Sequence, residues 1–417
     1  MLIRNGILLP LEEGDAPVRG DLRVGDGQIE AVDQSLALIE GEEVVDAAGC
    51  FILPGLISVG ADLQDTLLLD AEQAATSRMS SQVCDTKRLR ELLRSEALIH
   101  SVAAGAERLL RQGVTTILSV NEPSLSDRVF STALDAGVRL IGAPCLRASL
   151  GDAATQLQGI TEQIHRWHGS NEGRSQVAVA VDTPLQCSNE LLQQGASLAF
   201  ENDLLLHCNL MLSKEMVDEI NVRAGCHAVE FLMEMGCLSS QTLLSGCHHL
   251  GAEEPNFLFG TGTHVVDIGA SPDGLCDDGS SRAALVDNGV SVALGTPVGG
   301  GQVIDLARRG RAIGWTPQAT LQQCIEGGAR AIGMDDRLGF LQAGFAADLI
   351  IVEGAHGPAD PHDVVLKASQ EHTIRDVMVA GDFSVRNGAL QCSQVSSRAE
   401  DIVESVVDAL QAESGNS

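Results

Sequence analysis

Short apolar runs recur through the middle of the chain and predict buried β-strands. Each run is bounded by glycine, proline or polar turn residues, which is typical of strands covered on both faces. The eight runs in chain order are FILPGLIS (51–58), VTTILSV (114–120), VRLIGAPCL (138–146), QVAVAVD (176–182), DLLLHC (203–208), TLLSG (242–246), HVVDIG (264–269) and VSVALG (290–295). The stretches between them carry apolar residues at helical spacing, so the pattern predicts alternating strands and helices.

Helix boundaries can be read from the same pattern. An amphipathic stretch at 86–113 ends at Gly113, a typical C-cap residue, and Thr316 with Pro317 begins another helix as N-cap and first helical residue. Eight strands alternating with helices favour an α/β fold of the (β/α)8 TIM-barrel type over a doubly wound open sheet. The glycine-rich PVGGGQ at 297–302 lacks both GxGxxG and GKS/T, so we interpret it as a loop rather than a phosphate site.

The two ends of the chain have a different pattern. Both alternate apolar and polar residues and are rich in Asn-Gly, Gly-Asp-Gly and Ala-Gly turns, which predicts short strands that pair into one small sandwich. The predicted organisation is a composite β-sandwich from 1–55 and 343–395, a barrel from 56–342, and a surface-packed amphipathic helix with a tail at 396–417.

Charge and cysteine content narrow the classes of function. Asp and Glu number 57 against 27 Lys and Arg, a formal net charge of −30. Such a surface repels phosphate backbones and anionic lipid, so we expect no nucleic-acid or membrane partner. Eleven cysteines occur without a CxxC pair. No secretory leader is visible, so we expect reduced thiols and a cytoplasmic protein.

Several motifs, taken together and in order, resemble the amidohydrolase superfamily, specifically its chlorohydrolase and deaminase branch. This branch includes the s-triazine hydrolases and the methylthioadenosine/S-adenosylhomocysteine, guanine and cytosine deaminases. The motifs are VVDAAGCFILPGLI, AGAERLLRQGVTTILSV, DTPLQCSNELL, HAVEFLMEMGCLSSQTLL, NGVSVALGT and GARAIGMDDRLGFLQAGFAADLIIVE. The resemblance implies a TIM-type barrel carrying a β-sandwich, with one zinc or iron ion that activates water at the carboxyl ends of the strands.

The family's ligand positions are mostly replaced in this chain. The resemblance implies an HxH pair after the first strand, one His each after the fifth and sixth, and an Asp after the eighth. Only His207, after the fifth strand, is retained; the other positions hold Gly60, Asp62, Gly246 and Pro297. The family's AHCVHL reads SGCHHL at 245–250, and Leu210 replaces the glutamate that follows His207. A catalytic zinc needs about three protein ligands, so we expect no metal cofactor here.

Other polar residues near the predicted strand ends remain candidates for a site. Asp62, His207 and Asp267 are the candidate catalytic residues, because the strands that precede them open on the same barrel mouth. Candidate ligand-binding residues are Glu122, Asp182, His249 and Asp273. A relocated metal site would use His248, His249 or His264. Cys208 is a poor nucleophile partner for His207, because neighbours on a strand point to opposite faces.

Two functions from different classes fit this sequence. The leading hypothesis is an amidohydrolase-like protein with a dismantled metal site, a pseudoenzyme that binds a small molecule or serves as a partner subunit. The alternative is a hydrolase acting on carbon–nitrogen bonds of a small cyclic amidine or amide, through a rebuilt metal-free or relocated-metal site. The resemblance implies a homodimer, or pairing with an active relative.

Overall fold

The structure, a computed structural model, describes most of the chain. The described residues are 1–12, 16–78, 86–93, 97–268, 280–295, 310, 314–354, 359–391 and 398–414. They form two nine-stranded sheets and the helices that cover one of them. The predicted candidates Asp273 and Pro297, and the loop at 297–302, lie outside the described residues.

The first sheet is a parallel barrel, as predicted. Its strands are β6 (Leu56–Ala61), β7 (Val114–Asn121), β8 (Arg139–Leu146), β9 (Ser175–Val177), β10 (Val179–Val181), β11 (Leu206–Leu210), β12 (Thr242–Gly246), β13 (His264–Asp267) and β14 (Val292–Leu294). They pair in chain order from β6 to β14, with β9 alongside β8. A parallel bridge between Val59 and Gly295 brings the last strand against the first and closes the barrel.

Helices lie between the barrel strands and bury their apolar faces on them. They are α1 (Thr66–Arg78), α2 (Thr86–Leu92), α3 (Ala97–Arg111), α4 (Ser126–Asp135), α5 (Ala153–Trp167), α6 (Asn189–Glu201), α7 (Lys214–Ala224), α8 (Ala228–Glu234), α9 (Glu254–Thr261), α10 (Ser280–Asp287), α11 (Pro317–Gln322) and α12 (Gly328–Ala331). Thr316 caps α11 as predicted, accepting a hydrogen bond from the Ala319 amide. A π-helical turn, Gln323–Gly327, separates α11 from α12.

The second sheet joins both chain ends. Its strands are β1 (Leu2–Leu8), β2 (Val18–Gly25), β3 (Gln28–Asp33), β4 (Val44–Asp46), β5 (Cys50–Pro54), β15 (Leu349–Glu353), β16 (Asp376–Val379), β17 (Asp382–Arg386) and β18 (Ala389–Leu390). The chain ends meet where β5 pairs antiparallel with β15. The run at 51–58, predicted as one strand, is therefore two strands in two sheets.

A buried ion pair fastens this second sheet to the barrel. Arg139, at the start of β8, donates from Nε and a terminal nitrogen to the two carboxylate oxygens of Asp348, at 2.8 and 2.9 Å. Asp348 also accepts from the Ala380 amide at 2.7 Å. Both carboxylate oxygens and two guanidinium nitrogens therefore have hydrogen-bond partners. The pair compensates its own buried charges and holds the second sheet against the barrel.

Two further helices complete the described chain. Helix α13 (Pro361–Gln370) lies between β15 and β16, and α14 (Ala399–Ser414) is the predicted C-terminal helix. Val406, Val407 and Leu410 of α14 pack on Leu68 and Leu89 of the barrel helices, so α14 covers the surface there. No helix in the described part of the chain is both long enough and apolar enough to cross a membrane.

Candidate functional site at the barrel mouth

Strand β6 delivers Gly60 and Asp62 to the carboxyl end of the barrel, where the active sites of such barrels lie. Gly60 has φ +85°, a left-handed conformation that favours glycine. A Cβ built on Gly60 would lie 3.5 Å from Ser245 Oγ and 3.8 Å from His207 Nε2. The glycine backbone therefore faces the one retained histidine directly.

His207 is buried inside the barrel and held by a serine from the next strand. Its Nε2 lies 2.7 Å from Ser245 Oγ, and the residue is 1% exposed. Its Nδ1 has no hydrogen-bond partner among the described residues. Burial lowers the pKa of the imidazole to about 4, so His207 is neutral at physiological pH.

The residue after Ser245 has no room for a side chain. Gly246 has φ +103°, and a Cβ there would lie 2.7 Å from the Leu210 carbonyl oxygen and 2.6 Å from Leu212 Cδ2. Leu210, in the position of the family's glutamate, is fully buried. The carboxyl ends of β11 and β12 are thus closed by apolar and backbone atoms.

These residues do not fit the metal that the family resemblance implies. Gly60 and Gly246 supply no ligand atom, and Leu210 supplies no carboxylate. Throughout the described ranges, no group of three or more His, Cys, Asp or Glu side chains could hold a metal ion. Because three fixed ligands are the usual minimum for a catalytic zinc, the donor set around His207 is too small.

A cavity of about 290 Å³ opens beside this position, over β6, β7 and β8. Its polar wall consists of Asp62, Gln64, Asp65, Arg90, Ser101, Glu122 and Arg147, and leucines and an alanine complete the lining. Small-molecule sites are usually mostly apolar with a few polar groups, so this cavity is more polar than usual and suits a polar ligand.

Asp62 is a carboxyl with a raised pKa in this cavity. Burial, followed by the charge of Asp65, raises the pKa of Asp62 to about 7. Asp62 accepts a hydrogen bond from the Asp65 amide at 3.3 Å, and Asp65 forms an ion pair with Arg90 at 2.7 Å. Asp62 can therefore both accept and donate a proton near neutral pH, as a general acid–base group must.

The same cavity is also lined by a positioned arginine and a second carboxylate. Arg147, directly after β8, forms an ion pair with Asp182 at 3.1 Å. Glu122 accepts from Ser124 Oγ at 2.9 Å, and its amide donates to Gln64 Oε1 at 3.0 Å. Asp62, Glu122 and Arg147 thus share one cavity, with Asp182 holding the arginine.

The remaining sequence candidates lie elsewhere. Asp267 is 2% exposed and forms an ion pair with Arg282 of α10 at 3.1 Å, and it is not among the residues that line the cavity with Asp62. His249 is half-buried after β12. His264 is the first residue of β13, at the opposite end of the barrel from His249, so the two cannot share a relocated metal.

Cys208 faces away from His207, as the strand alternation predicted. It belongs to the apolar cluster between the strands and the outer helices, together with Val181 and Leu244. Burial raises the pKa of its thiol well above the ordinary value. The described cysteines carry no disulfide and are mostly buried. Cys208 is therefore an inert core residue.

Sequence reasoning missed two of the residues that shape the site. Arg147 directly follows the predicted strand at 138–146. A polar residue at the carboxyl end of a barrel strand is a candidate for a functional role, so the sequence alone could have indicated Arg147. Ser245 stands where the family pattern has alanine, but only the pairing of His207 with Leu243 shows that β11 and β12 bring Ser245 to the imidazole.

A parallel barrel of this topology, with a second sheet from both chain ends and polar groups at its carboxyl mouth, defines a TIM-barrel scaffold. The family description "Amidohydrolase family" matches residues 51–383, and the chain therefore belongs to the amidohydrolase family. This confirms the resemblance inferred from the sequence motifs.

Two proteins with similar sequences are deaminases. The 5'-deoxyadenosine deaminase of Methanothermobacter thermautotrophicus is 25% identical over 399 residues, which is 89% of this chain and 91% of that protein. The 5-methylthioadenosine/S-adenosylhomocysteine deaminase of Desulforudis audaxviator is 24% identical over 372 residues, 84% of each chain.

Solved structures agree with the fold. An adenosine deaminase from Xanthomonas campestris with bound zinc superposes with a TM-score of 0.81 at 18% identity, covering 97% of this chain and 98% of that one. Atrazine chlorohydrolase TrzN from Arthrobacter aurescens TC1, complexed with zinc, gives 0.80 at 19% identity, covering 96% and 99%. The predicted barrel with an appended sheet is thereby confirmed.

Proposed function

We propose that this protein is a hydrolase that cleaves a carbon–nitrogen bond of a small cyclic amidine or amide, using a rebuilt site that needs no metal. The supporting observation is the cavity at the carboxyl mouth of the barrel, where Asp62, Glu122 and Arg147 converge. Deaminases among the similar proteins support the substrate class. The small donor set around His207 supports the metal-free chemistry.

The proposed reaction uses water and the cavity side chains. The Asp62 carboxylate takes a proton from water while the water oxygen bonds to the ring carbon. Arg147, held by Asp182 at 3.1 Å, stabilises the negative charge that develops on the ring nitrogen. The exocyclic carbon–nitrogen bond then breaks. Asp62 returns its proton to the departing amine, which leaves as ammonia.

A second candidate function is a binding protein without chemistry. The observation that favours it is Leu210, which is buried in the position where the family has its proton-carrying glutamate. In this case the same cavity would bind the same class of ring without hydrolysing it. Binding and turnover are separate measurements, so one experiment distinguishes the two functions.

The experiment is an ammonia-release assay on the full chain after dialysis against a chelator. Substrates are 5'-deoxyadenosine, 5-methylthioadenosine, S-adenosylhomocysteine and an amino-s-triazine. We expect release of ammonia from at least one ring, undiminished by the chelator. Asp62→Asn should lower the rate about 10²–10⁴-fold, the range of a lost general acid–base group. Asp218→Asn removes an exposed carboxyl of α7 and is the matched control.

Three outcomes would each contradict one part of this proposal. Ligand-induced thermal shifts without ammonia release would favour the binding protein. Activity that disappears on chelation and returns with zinc would show that the metal-free chemistry is wrong. Full activity of Asp62→Asn would remove Asp62 from the mechanism.

A further inference from the structure

Inside the barrel, one histidine and one serine from neighbouring strands are hydrogen-bonded to each other. His207 Nε2 lies 2.7 Å from Ser245 Oγ, and both residues are 1% exposed. The pair lies across from the Gly60 backbone, within 3.5–3.8 Å of a Cβ built there. The Nε2 atom of the one retained ligand is therefore already engaged by a neighbour inside the chain.

A buried imidazole needs such a partner. Without Ser245, both ring nitrogens of His207 would lack a hydrogen bond among the described residues, since Nδ1 already has none. An unsatisfied polar group in a barrel core is strongly unfavourable. Ser245 stands where the family pattern has alanine, which cannot form this bond. The serine and the glycine beside it together replace the Ala-His of that pattern.

The neighbouring backbone opposes the return of histidine at positions 60 and 246. Gly60 and Gly246 both have positive φ, at +85° and +103°. At Gly246 the obstacle is also steric, because a Cβ would lie 2.7 Å from the backbone oxygen of Leu210. A histidine at position 246 would have to move the end of β11, and that end is fixed by the hydrogen bond from the Cys247 amide to the Leu210 oxygen at 2.8 Å.

We infer that Ser245 serves as the internal replacement for the metal, satisfying His207 Nε2, and that Gly60 and Gly246 fix the surrounding backbone in a form that excludes the missing ligands. His207 therefore has a partner for Nε2 inside the barrel core and needs no cation there. This inference goes beyond the proposed hydrolase function and does not depend on it, because its tests measure metal content and stability rather than turnover.

The first test needs no variant. The intact chain, purified without an affinity histidine tag, is equilibrated with zinc, passed over a desalting column and analysed for metal. We expect clearly substoichiometric zinc and no rise in Tm on adding zinc. About one zinc per chain, lost in His207→Ala, would overturn the inference.

The second test is a double-mutant cycle on unfolding. Ser245→Ala should lower Tm by about 2 °C or more, since it leaves a buried nitrogen unsatisfied. In the background of His207→Ala, the same Ser245→Ala change should have little effect, because the bond is already absent. Ser119→Ala, which removes another buried barrel hydroxyl away from His207, is the control and should act equally in both backgrounds.

One replacement variant keeps this cycle decisive, and two outcomes would contradict the inference. If Ser245→Ala does not fold, Ser245→Cys preserves the side-chain shape and supplies the weaker thiol partner, so it replaces alanine in the cycle. Additive effects of the 245 and 207 substitutions would contradict the inference. A Gly60→His, Ser245→Ala, Gly246→His variant that folds and binds zinc tightly would also contradict it.

Discussion

At the scale of single residues, burial changes what the Asp62 carboxyl can do. Burial raises the pKa of Asp62 to about 7 in the folded chain, against about 3.9 in an unfolded chain. The folded state therefore holds this proton more tightly than the unfolded state. Linkage then requires the contribution of Asp62 to stability to fall as pH rises from about 4 to about 7.

We expect Asp62→Asn to remove the loss of stability that the Asp62 carboxyl causes as pH rises. The free energy of unfolding of the variant should exceed that of the parent by ~2–4 kcal/mol at pH 8, and the two should converge near pH 4. Chemical denaturation across this pH range measures the difference. Asp218→Asn, on the exposed face of α7, should show no such divergence. Parallel pH profiles for Asp62→Asn and the parent would show that the carboxyl titrates normally.

The sequence predicted single residues well where a motif fixes their spacing. Leu210 and Gly246 are the last residues of β11 and β12 because the apolar runs before them set the strand positions. His207, predicted to follow its strand, is instead the second residue of β11. Ser245 reaches His207 only through the register of β11 on β12, and the two residues are 38 apart in the chain. Register depends on packing of the whole barrel, so this contact could not be read from local sequence.

At the scale of elements, close packing decides which glycines are replaceable. Gly328, at the start of α12, lies against β6, and a Cβ there would lie 2.9 Å from the Cβ of Ile57. Gly159, inside α5, has nothing within 4 Å of its Cβ position. Both are helical, but only Gly328 is at a contact between a helix and a strand.

We therefore expect opposite effects from the same substitution. Gly328→Ala should destabilise the protein by about 1–3 kcal/mol through overpacking against Ile57. Gly159→Ala should stabilise it by about 0.5–1 kcal/mol, because alanine is the better helix former. Urea denaturation of the two variants measures both. A stabilising Gly328→Ala would mean that β6 and α12 are less tightly packed than the structure indicates.

Element boundaries explain where the sequence pattern failed. The run at 51–58 looks like one buried strand, but Gly55 lies between β5 and β6. A Cβ at this position would clash with the side chain of Thr115, so the junction requires glycine. Helix α13 was not predicted, although Asp360 and Pro361 form a readable N-cap and first turn. Its position among strands masked that signal, since the surrounding pattern alternates in strand fashion.

At the scale of the whole molecule, the barrel was predictable and the candidate site only in part, since Asp62 and Glu122 were candidates but the helix residues that line the same cavity were not. Eight apolar runs in order constrain the topology strongly, because parallel strands joined by helices have few arrangements. The cavity depends on loops after three strands and on Arg90 and Ser101 from the helices α2 and α3. Ser101 Oγ accepts from the Leu67 amide at 3.0 Å and donates to the Gln64 carbonyl at 2.8 Å. The apolar pattern that predicts the strands gives no information about these helix and loop contacts.

The excess of acidic residues leads to a last prediction about the whole molecule. A net charge of −30 concentrates like charge on a compact surface, and self-repulsion opposes the folded state. Raising KCl from about 0.1 M to about 1 M shortens the Debye length from about 10 Å to about 3 Å. Exposed ion pairs such as Lys367–Glu371 are weakened too, but each contributes little.

Repulsion among the surplus carboxylates should therefore dominate, and we expect Tm to rise by several degrees over this range of salt. The double variant Asp218→Asn, Glu219→Gln lowers the negative charge on the exposed face of α7. It should have a higher Tm than the parent at low salt and a shallower dependence on KCl, because fewer charges remain to be screened. Thermal scans in KCl measure both effects. A Tm that falls with salt would show that attractive ion pairs, rather than net repulsion, control the stability of this surface.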